Sequence, residues 1–250
     1  MRFTGGLTPA QQAAFETAAA RWSRILSADV PSVVIDGETI DDVRIDAAGE
    51  RIDGPGGVLG QAGPVELRPG TFVPATGIMS FDSADLDQMQ EDGSLVSVIV
   101  HEMGHVLGFG TIFDRLDLVA GAGGRDPRFT GENATREYGD LLGGDGPRPH
   151  SVPLANVGGP GTRDGHWREE VFASELMTGF LDIGANPISR LTVGAFEDLG
   201  YTVDYAAADA YRLPRATELL TRRRPRELHG HECVIEIPEQ HVLPESAIVG

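Results

Sequence analysis

The chain has 250 residues, a formal net charge of −18, 40% hydrophobic residues and only 6% aromatic residues. This length is sufficient for one large domain, or one domain in two lobes, with a buried core. A strongly acidic surface repels nucleic acid and anionic membranes, so neither is expected as a partner. No apolar run approaches the roughly 20 residues of a membrane helix. The single cysteine, Cys233, excludes an internal disulfide.

The first part of the chain contains one helix signal and several strand signals. Thr8-Pro9-Ala10-Gln11 has the pattern of a capping box with proline at the first helical position. Apolar residues then recur at helical spacing, which predicts an amphipathic helix over 9–26. Apolar runs and alternation of apolar with polar residues predict short strands further along. These strands are expected at 33–35, 43–47, 58–62 and 77–81.

The strongest helix signal lies at 94–108, where apolar residues recur at helical spacing and Gly108 is expected to end the helix. From about 109 to 165 the chain is rich in glycine and proline, with one helix predicted at 132–142. A loop of this length is usually functional or disordered. A further helix is predicted at 191–199 by the same apolar spacing.

The helix at 94–108 contains His101-Glu102-Met103-Gly104-His105, which fits the pattern H-E-x-x-H. Residues four apart lie on one face of a helix, so both imidazoles can bind the same metal ion. Glu102 is placed to take a proton from a water that zinc has made acidic. The pattern predicts a metal-dependent hydrolase with His101 and His105 as ligands and Glu102 as the general base. Chance occurrence of a five-residue pattern is the alternative.

The third metal ligand is not fixed by this pattern. A catalytic zinc site usually has three protein ligands and one open position. In metzincin peptidases the pattern continues as H-E-x-x-H-x-x-G-x-x-H. Gly108 fits the glycine, but Thr111 stands at the position of the third histidine. Four downstream residues compete for the role: His166, Glu169, Glu170 and Glu175.

The stretch 165–179, with Gly165-His166-Trp167 followed by Glu175-Leu176-Met177, resembles the leishmanolysin-like branch of the metzincins, bacterial members included. In that family a long insertion separates the helix glycine from the third histidine, and a Glu-Leu-Met stretch supplies a methionine turn beneath the metal. The resemblance implies that His166 is the third zinc ligand and Met177 the turn methionine, although core packing is the alternative role of Met177. Further matching motifs lie at 129–134, 158–162 and 186–201.

The resemblance implies a metzincin-like α+β fold, in which a twisted mixed β-sheet and an active-site helix lie above a smaller lobe that is mostly irregular and helical. We place the upper lobe at 1–108, the lower lobe at 109–213 and a C-terminal tail at 214–250. The implied protein is a monomeric zinc endopeptidase that acts outside the cell, although the first residues carry no signal-peptide segment. Two alternatives remain: a catalytically latent zinc-containing peptide-binding module, and a metal-dependent hydrolase of non-peptide amides.

Two segments, Asp53-Gly54-Pro55-Gly56-Gly57-Val58-Leu59 and Ser80-Phe81-Asp82-Ser83-Ala84-Asp85, resemble the matrixins, a neighbouring metzincin family. There the first segment is a calcium loop that leads into an edge strand, and the second supplies two carboxylates to the same ion. The six ligands implied here are the side chains of Asp53, Asp82 and Asp85 and the carbonyl groups of Gly54, Gly56 and Val58. Calcium takes six to eight oxygen ligands, so this set is large enough.

The same segments also have a simpler interpretation. Asp53-Gly54 is typical of a turn, and Asp82 or Ser83 can cap a helix at 84–89. The edge strand at 58–62, which the matrixin resemblance implies, predicts that a protein or peptide substrate binds by strand addition.

Overall fold

A computed structural model describes the protein at residues 1–52, 54, 60–144, 147, 149–159, 162–182, 184–221 and 238–249. The helices are α1 (Pro9–Ile25), α2 (Ser83–Asp92), α3 (Leu95–Val106), α4 (Glu132–Leu141), α5 (Glu169–Phe172), α6 (Arg190–Asp198) and α7 (Ala216–Thr221). The strands are β1 (Arg2–Gly5), β2 (Val33–Ile35), β3 (Glu38–Ile40), β4 (Arg44–Glu50), β5 (Gly60–Leu67), β6 (Pro74–Asp82), β7 (Val119–Ala120), β8 (Arg128–Phe129), β9 (Val152–Pro153) and β10 (His241–Val242). None of the described helices is long and apolar enough to cross a membrane.

The main sheet is mixed and has the strand order β1-β4-β6-β5-β10. β4 pairs in parallel with both β1 and β6, whereas β5 runs antiparallel to β6. β10 pairs with β5 only at Glu66 and Leu67. In the part of the chain that the structure describes, the outer edge of residues 60–65 therefore carries no strand. The predicted α+β class with a mixed sheet is confirmed.

α1 begins with the predicted capping box. The Thr8 side chain accepts from the Gln11 backbone N–H, and Gln11 Oε1 accepts from the Thr8 N–H at 2.8 Å. The apolar face of α1 packs against α3, where Trp22 Nε1 donates to the Val100 carbonyl at 2.9 Å. α1 thereby fixes one side of the helix that contains the H-E-x-x-H pattern.

Most of the longer predicted elements are present. α1, α3, α4 and α6 and strands β2, β4 and β6 lie where the periodicity places them, and α2 extends the predicted capped helix at both ends. β7, β8 and β9 form a small sheet inside the long segment rich in glycine and proline. Each has only two residues, which is too few for a period of two to be visible in the sequence.

The main buried cluster contains residues from before and after position 108. One junction is the contact of Trp22 with Phe196, whose rings are tilted and whose centroids are 4.6 Å apart. Aromatic pairs at this separation add to the stabilisation that comes from burial alone. The two halves of the chain therefore share one core, and the lobe boundaries at 108 and 213 stay a prediction.

Residues 238–249 return to the main sheet. β10 extends it beside β5, and the Gln240 side chain donates to the Thr111 carbonyl at 3.0 Å and accepts from Arg115 Nε at 2.8 Å. The end of the chain thus contacts both the sheet edge and the turn that follows α3.

Arg68, directly after β5, is a buried cation with 1% of its surface exposed. Burial lowers the pKa of its guanidinium, although nearby acidic groups oppose that shift. The guanidinium donates to four backbone carbonyls, those of Pro31, Asp41, Asp42 and Pro74. These bonds join the segment before β2, the segment before β4 and the first residue of β6.

Replacing Arg68 with methionine keeps a long unbranched side chain but leaves these four carbonyl groups without their donor. We expect the free energy of unfolding to fall by about 2–3 kcal/mol, the order found for lost hydrogen bonds to a charged group. Urea unfolding followed by circular dichroism measures the change. Arg24→Met, at an exposed position of α1, is the control and should cost less than about 0.5 kcal/mol. Equal losses in the two variants would contradict the assigned role.

Candidate metal centre

α3 carries His101 and His105 one turn apart, and both side chains are buried. The helix ends at Val106, and Gly108 follows with a φ of +114°, a conformation that glycine adopts more readily than other residues. The chain then turns so that the Phe109 carbonyl lies 2.8 Å from His105 Nδ1. The turn at Gly108 therefore both ends the helix and supplies a partner for one histidine.

The long segment after α3 comes back to the end of α3 just before His166. A Cβ atom added to Gly110 would lie 2.3 Å from the Gly165 carbonyl oxygen, so the two ends of the segment touch through backbone. This closure places His166 Nε2 3.0 Å from His105 Nε2. Thr111, at the position of the third histidine in compact metzincins, instead donates its hydroxyl to the His105 carbonyl at 2.8 Å.

The three predicted histidines meet at their Nε2 atoms. The distance is 3.0 Å between His101 and His105, 3.0 Å between His105 and His166, and 3.1 Å between His101 and His166. All three side chains are buried, and their ligand atoms form the candidate metal-binding group of the described residues.

Each Nδ1 atom of the three rings lies 2.7–3.1 Å from a backbone carbonyl oxygen. A carbonyl only accepts, so each Nδ1 carries the hydrogen and each Nε2 presents a lone pair. Lone pairs that converge in this way repel one another unless a cation lies between them. The carbonyl groups belong to Leu176 for His101, Phe109 for His105 and Thr162 for His166.

Burial also favours the uncharged form of His101 and His105. It lowers the pKa of His101 to about 4, against the opposing hydrogen bond to Leu176. It lowers the pKa of His105 well below the ordinary value, and the neighbouring imidazoles of His166 and His101 add to that shift. Neutral imidazole is the form that binds metal. Burial of these side chains therefore favours the protonation state in which they can bind an ion.

The donor set fits zinc. Three imidazole nitrogens with one open position are a common arrangement in catalytic zinc sites, and imidazole suits a borderline-soft ion. Glu102 lies on α3 between the two helical ligands and is 8% exposed. The elements of a metal-dependent hydrolase are therefore contiguous in this part of the molecule.

The competing carboxylates lie elsewhere. Glu169 and Glu170 are in α5, and Glu175 directs its oxygens to Met177, Ser189 and Thr192. The metal-binding group among the described residues contains none of the three. The geometry therefore favours His166 over these carboxylates as the third ligand.

Met177 lies directly against α3. It is fully buried, and a Cβ atom added to Gly104 would lie 3.0 Å from its Sδ atom and 2.9 Å from its Cε atom. The absence of a side chain at Gly104 therefore leaves room for the end of the Met177 side chain against α3. The role of Met177 beneath a metal stays a prediction.

The predicted calcium site is described only in part. Asp82 Oδ1 accepts from the Ala84 N–H at 2.8 Å and caps α2. Asp82 Oδ2 accepts from the backbone N–H groups of Ile52 and Gly54, each at 2.9 Å. The capping interpretation is confirmed, and calcium stays a prediction for which Asp85 is buried nearby in the first turn of α2. Three of its predicted ligands lie outside the described residues: Asp53, Gly56 and Val58.

Replacing His166 with alanine leaves two of the three nitrogens. We expect zinc affinity to fall by more than about 100-fold, beyond the 10–100-fold typical for loss of an outer hydrogen-bond partner. Zinc content after dialysis against a metal buffer, measured by mass spectrometry, checks this. His150→Ala, at an exposed loop position, should retain about one zinc per chain. Full zinc in the His166 variant would move the third ligand to another residue.

Comparison with known proteins agrees with this geometry. A sequence model of the family described as leishmanolysin matches residues 58–218, more than half of the chain. The matched stretch contains the three histidines, Glu102 and Met177. A comparison with curated proteins gave no match. The resemblance in the sequence is confirmed, and the chain belongs to the leishmanolysin family of zinc metallopeptidases.

Proposed function

We propose that this protein is a zinc-dependent endopeptidase in which Glu102 is the general base. The observation that supports it best is the convergence of three neutral imidazole Nε2 atoms, 3.0–3.1 Å apart, with Glu102 on the same helix. His101, His105 and His166 would hold the zinc. When bound, zinc supplies a Lewis acid that makes water nucleophilic near neutral pH and stabilises negative charge on the scissile carbonyl.

Glu102 moves the proton. It takes one proton from the attacking water as the new bond forms between the water oxygen and the scissile carbonyl carbon. It then delivers that proton to the amide nitrogen as the carbon–nitrogen bond breaks, and it ends as the carboxylate with which it began. No nucleophilic side chain is required, because water itself attacks.

We propose further that a peptide substrate lies along the outer edge of β5. α3 packs against β5, so this edge is next to the helix that carries two ligands. Among the described strands, β10 occupies only the end of the edge at Glu66 and Leu67. An extended peptide could pair with residues 60–65, with main-chain hydrogen bonds providing affinity.

Replacing Glu102 with glutamine should leave zinc bound, since the ligands are untouched. We expect kcat/KM on a casein-derived peptide to fall by at least about 100-fold, the lower range for loss of a general base. Glu16→Gln, at an exposed position of α1, is the control and should be fully active. Sustained turnover by a zinc-loaded Glu102 variant would exclude this base. A zinc-loaded wild type that cleaves no peptide in a diverse library would favour a latent binding module.

Backbone pairing along β5 predicts an alternating pattern in the substrate. In an extended strand, successive N–H groups point to opposite sides, so only every second one can face β5. We expect N-methylation of alternate substrate amides to raise KM at least about tenfold, the effect of losing roughly 1.4 kcal/mol. Methylation of the intervening amides is the matched control. A uniform effect along the peptide, or faster hydrolysis of small non-peptide amides, would contradict edge pairing.

A further inference from the structure

Glu175 is a fully buried carboxylate, 0% exposed, in the turn that precedes Met177. Within the described residues it forms no ion pair with a basic side chain. Burial raises its pKa, while hydrogen-bond donors oppose the shift. Burial of an acidic group destabilises the folded state unless donors satisfy its oxygens, so a carboxylate at this position calls for an explanation.

Four donors surround the carboxylate. Oε2 accepts from the Met177 N–H at 2.7 Å. Oε1 accepts from the Ser189 N–H at 3.0 Å, the Ser189 hydroxyl at 2.7 Å and the Thr192 hydroxyl at 2.5 Å. Ser189 is the N-cap of α6, and Thr192 also accepts from Trp167 Nε1 at 2.9 Å. Glu175 therefore fastens the turn at Met177 to the beginning of α6.

The peptide groups of this turn contact two of the three metal-ligand segments. The Leu176 carbonyl lies 2.7 Å from His101 Nδ1 and fixes the orientation of that ring. The Met177 carbonyl accepts from the Trp167 N–H at 2.9 Å, directly after His166. A displacement of the turn would therefore alter both His101 and His166, although Glu175 itself is not among the metal-binding side chains.

We propose that Glu175 is a positioning residue for the zinc site, acting through the peptide groups of Leu176 and Met177. The inference rests on the zinc site of the proposed function, and peptidase activity is not needed to test it. A glutamine at this position has the same shape but only one acceptor oxygen. If that oxygen faces the three donors at Oε1, its NH₂ group faces the Met177 N–H, and the two donors repel.

The experiment compares zinc dissociation constants of wild type and Glu175→Gln by competition with a chromophoric chelator. We expect a 10–100-fold weaker affinity for the variant, the range found when an outer partner of a metal ligand is lost. The cobalt-substituted proteins supply a second measurement, because the visible spectrum reports ligand geometry. We expect the spectrum of Glu175→Gln to differ from that of wild type.

The matched control is Glu137→Gln. Glu137 is also a buried carboxylate, 4% exposed, and it accepts from Arg190 Nε at 2.8 Å in the first turn of α6. It contacts the same helix as Glu175 but has no hydrogen bond to the turn at Met177 among the described residues. This variant should lose stability in urea yet keep the zinc affinity and cobalt spectrum of wild type. Should Glu175→Gln fail to fold, Ser189→Ala removes one donor to the carboxylate and should weaken zinc binding a few-fold.

Each outcome has a distinct meaning. Wild-type affinity and an unchanged cobalt spectrum in Glu175→Gln, or in Ser189→Ala where that variant replaces it, would overturn the inference. An equal loss of affinity in Glu137→Gln would also overturn it, because general destabilisation would then be the cause. A wild-type protein that binds no zinc would instead contradict the metal site on which the proposed function stands.

Discussion

The arrangement of the site depends on one electrostatic constraint: three neutral imidazoles must present their Nε2 lone pairs to a single point. Their separation of 3.0–3.1 Å is unfavourable without a cation, so packing must hold the rings in place beforehand. The structure does this by giving every Nδ1 a backbone carbonyl. Those carbonyls come from the turn after α3, from the end of the long segment and from the turn at Met177, so three distant parts of the chain must fold together before the site exists.

Close approach of separate segments makes that assembly possible, and glycine leaves room for it at two positions. Gly110 touches Gly165 where the long segment returns, and Gly104 leaves room for Met177 against α3. At each position a side chain would meet atoms closer than 3.0 Å, a separation at which something must move. In a close-packed protein interior, a small displacement of one group is transmitted to the groups in contact with it. The geometry of the ligands is therefore coupled to contacts that never touch a metal, Glu175 among them.

The proposed substrate-binding edge, the outer side of β5, depends on backbone pairing. β5 is joined to the sheet by β6 on one side, and β10 covers only its last two residues on the other. A partly open edge next to α3 suits an extended peptide, whose backbone can continue the sheet. The contacts of Gln240 with Thr111 and Arg115 also connect the end of the chain to the turn after α3. The C-terminal segment thus borders the proposed binding edge.

The sequence by itself determined the features that depend on neighbours along the chain. The capping box at Thr8, the apolar spacing of α1, α3 and α6, and the histidines four residues apart on α3 are all local, because a helix brings i and i+4 together whatever surrounds it. Resemblance to a family, not spacing, singled out His166. Only the tertiary structure decided the carbonyl partner of each imidazole, the donors around Glu175 and the pairing of β10 with β5. Some of those contacts join residues far apart in the chain, as with Leu176 and His101, and others join near neighbours in irregular segments, as with Phe109 and His105. Irregular segments have no periodicity to read, and close packing selects these contacts only when the whole core has formed.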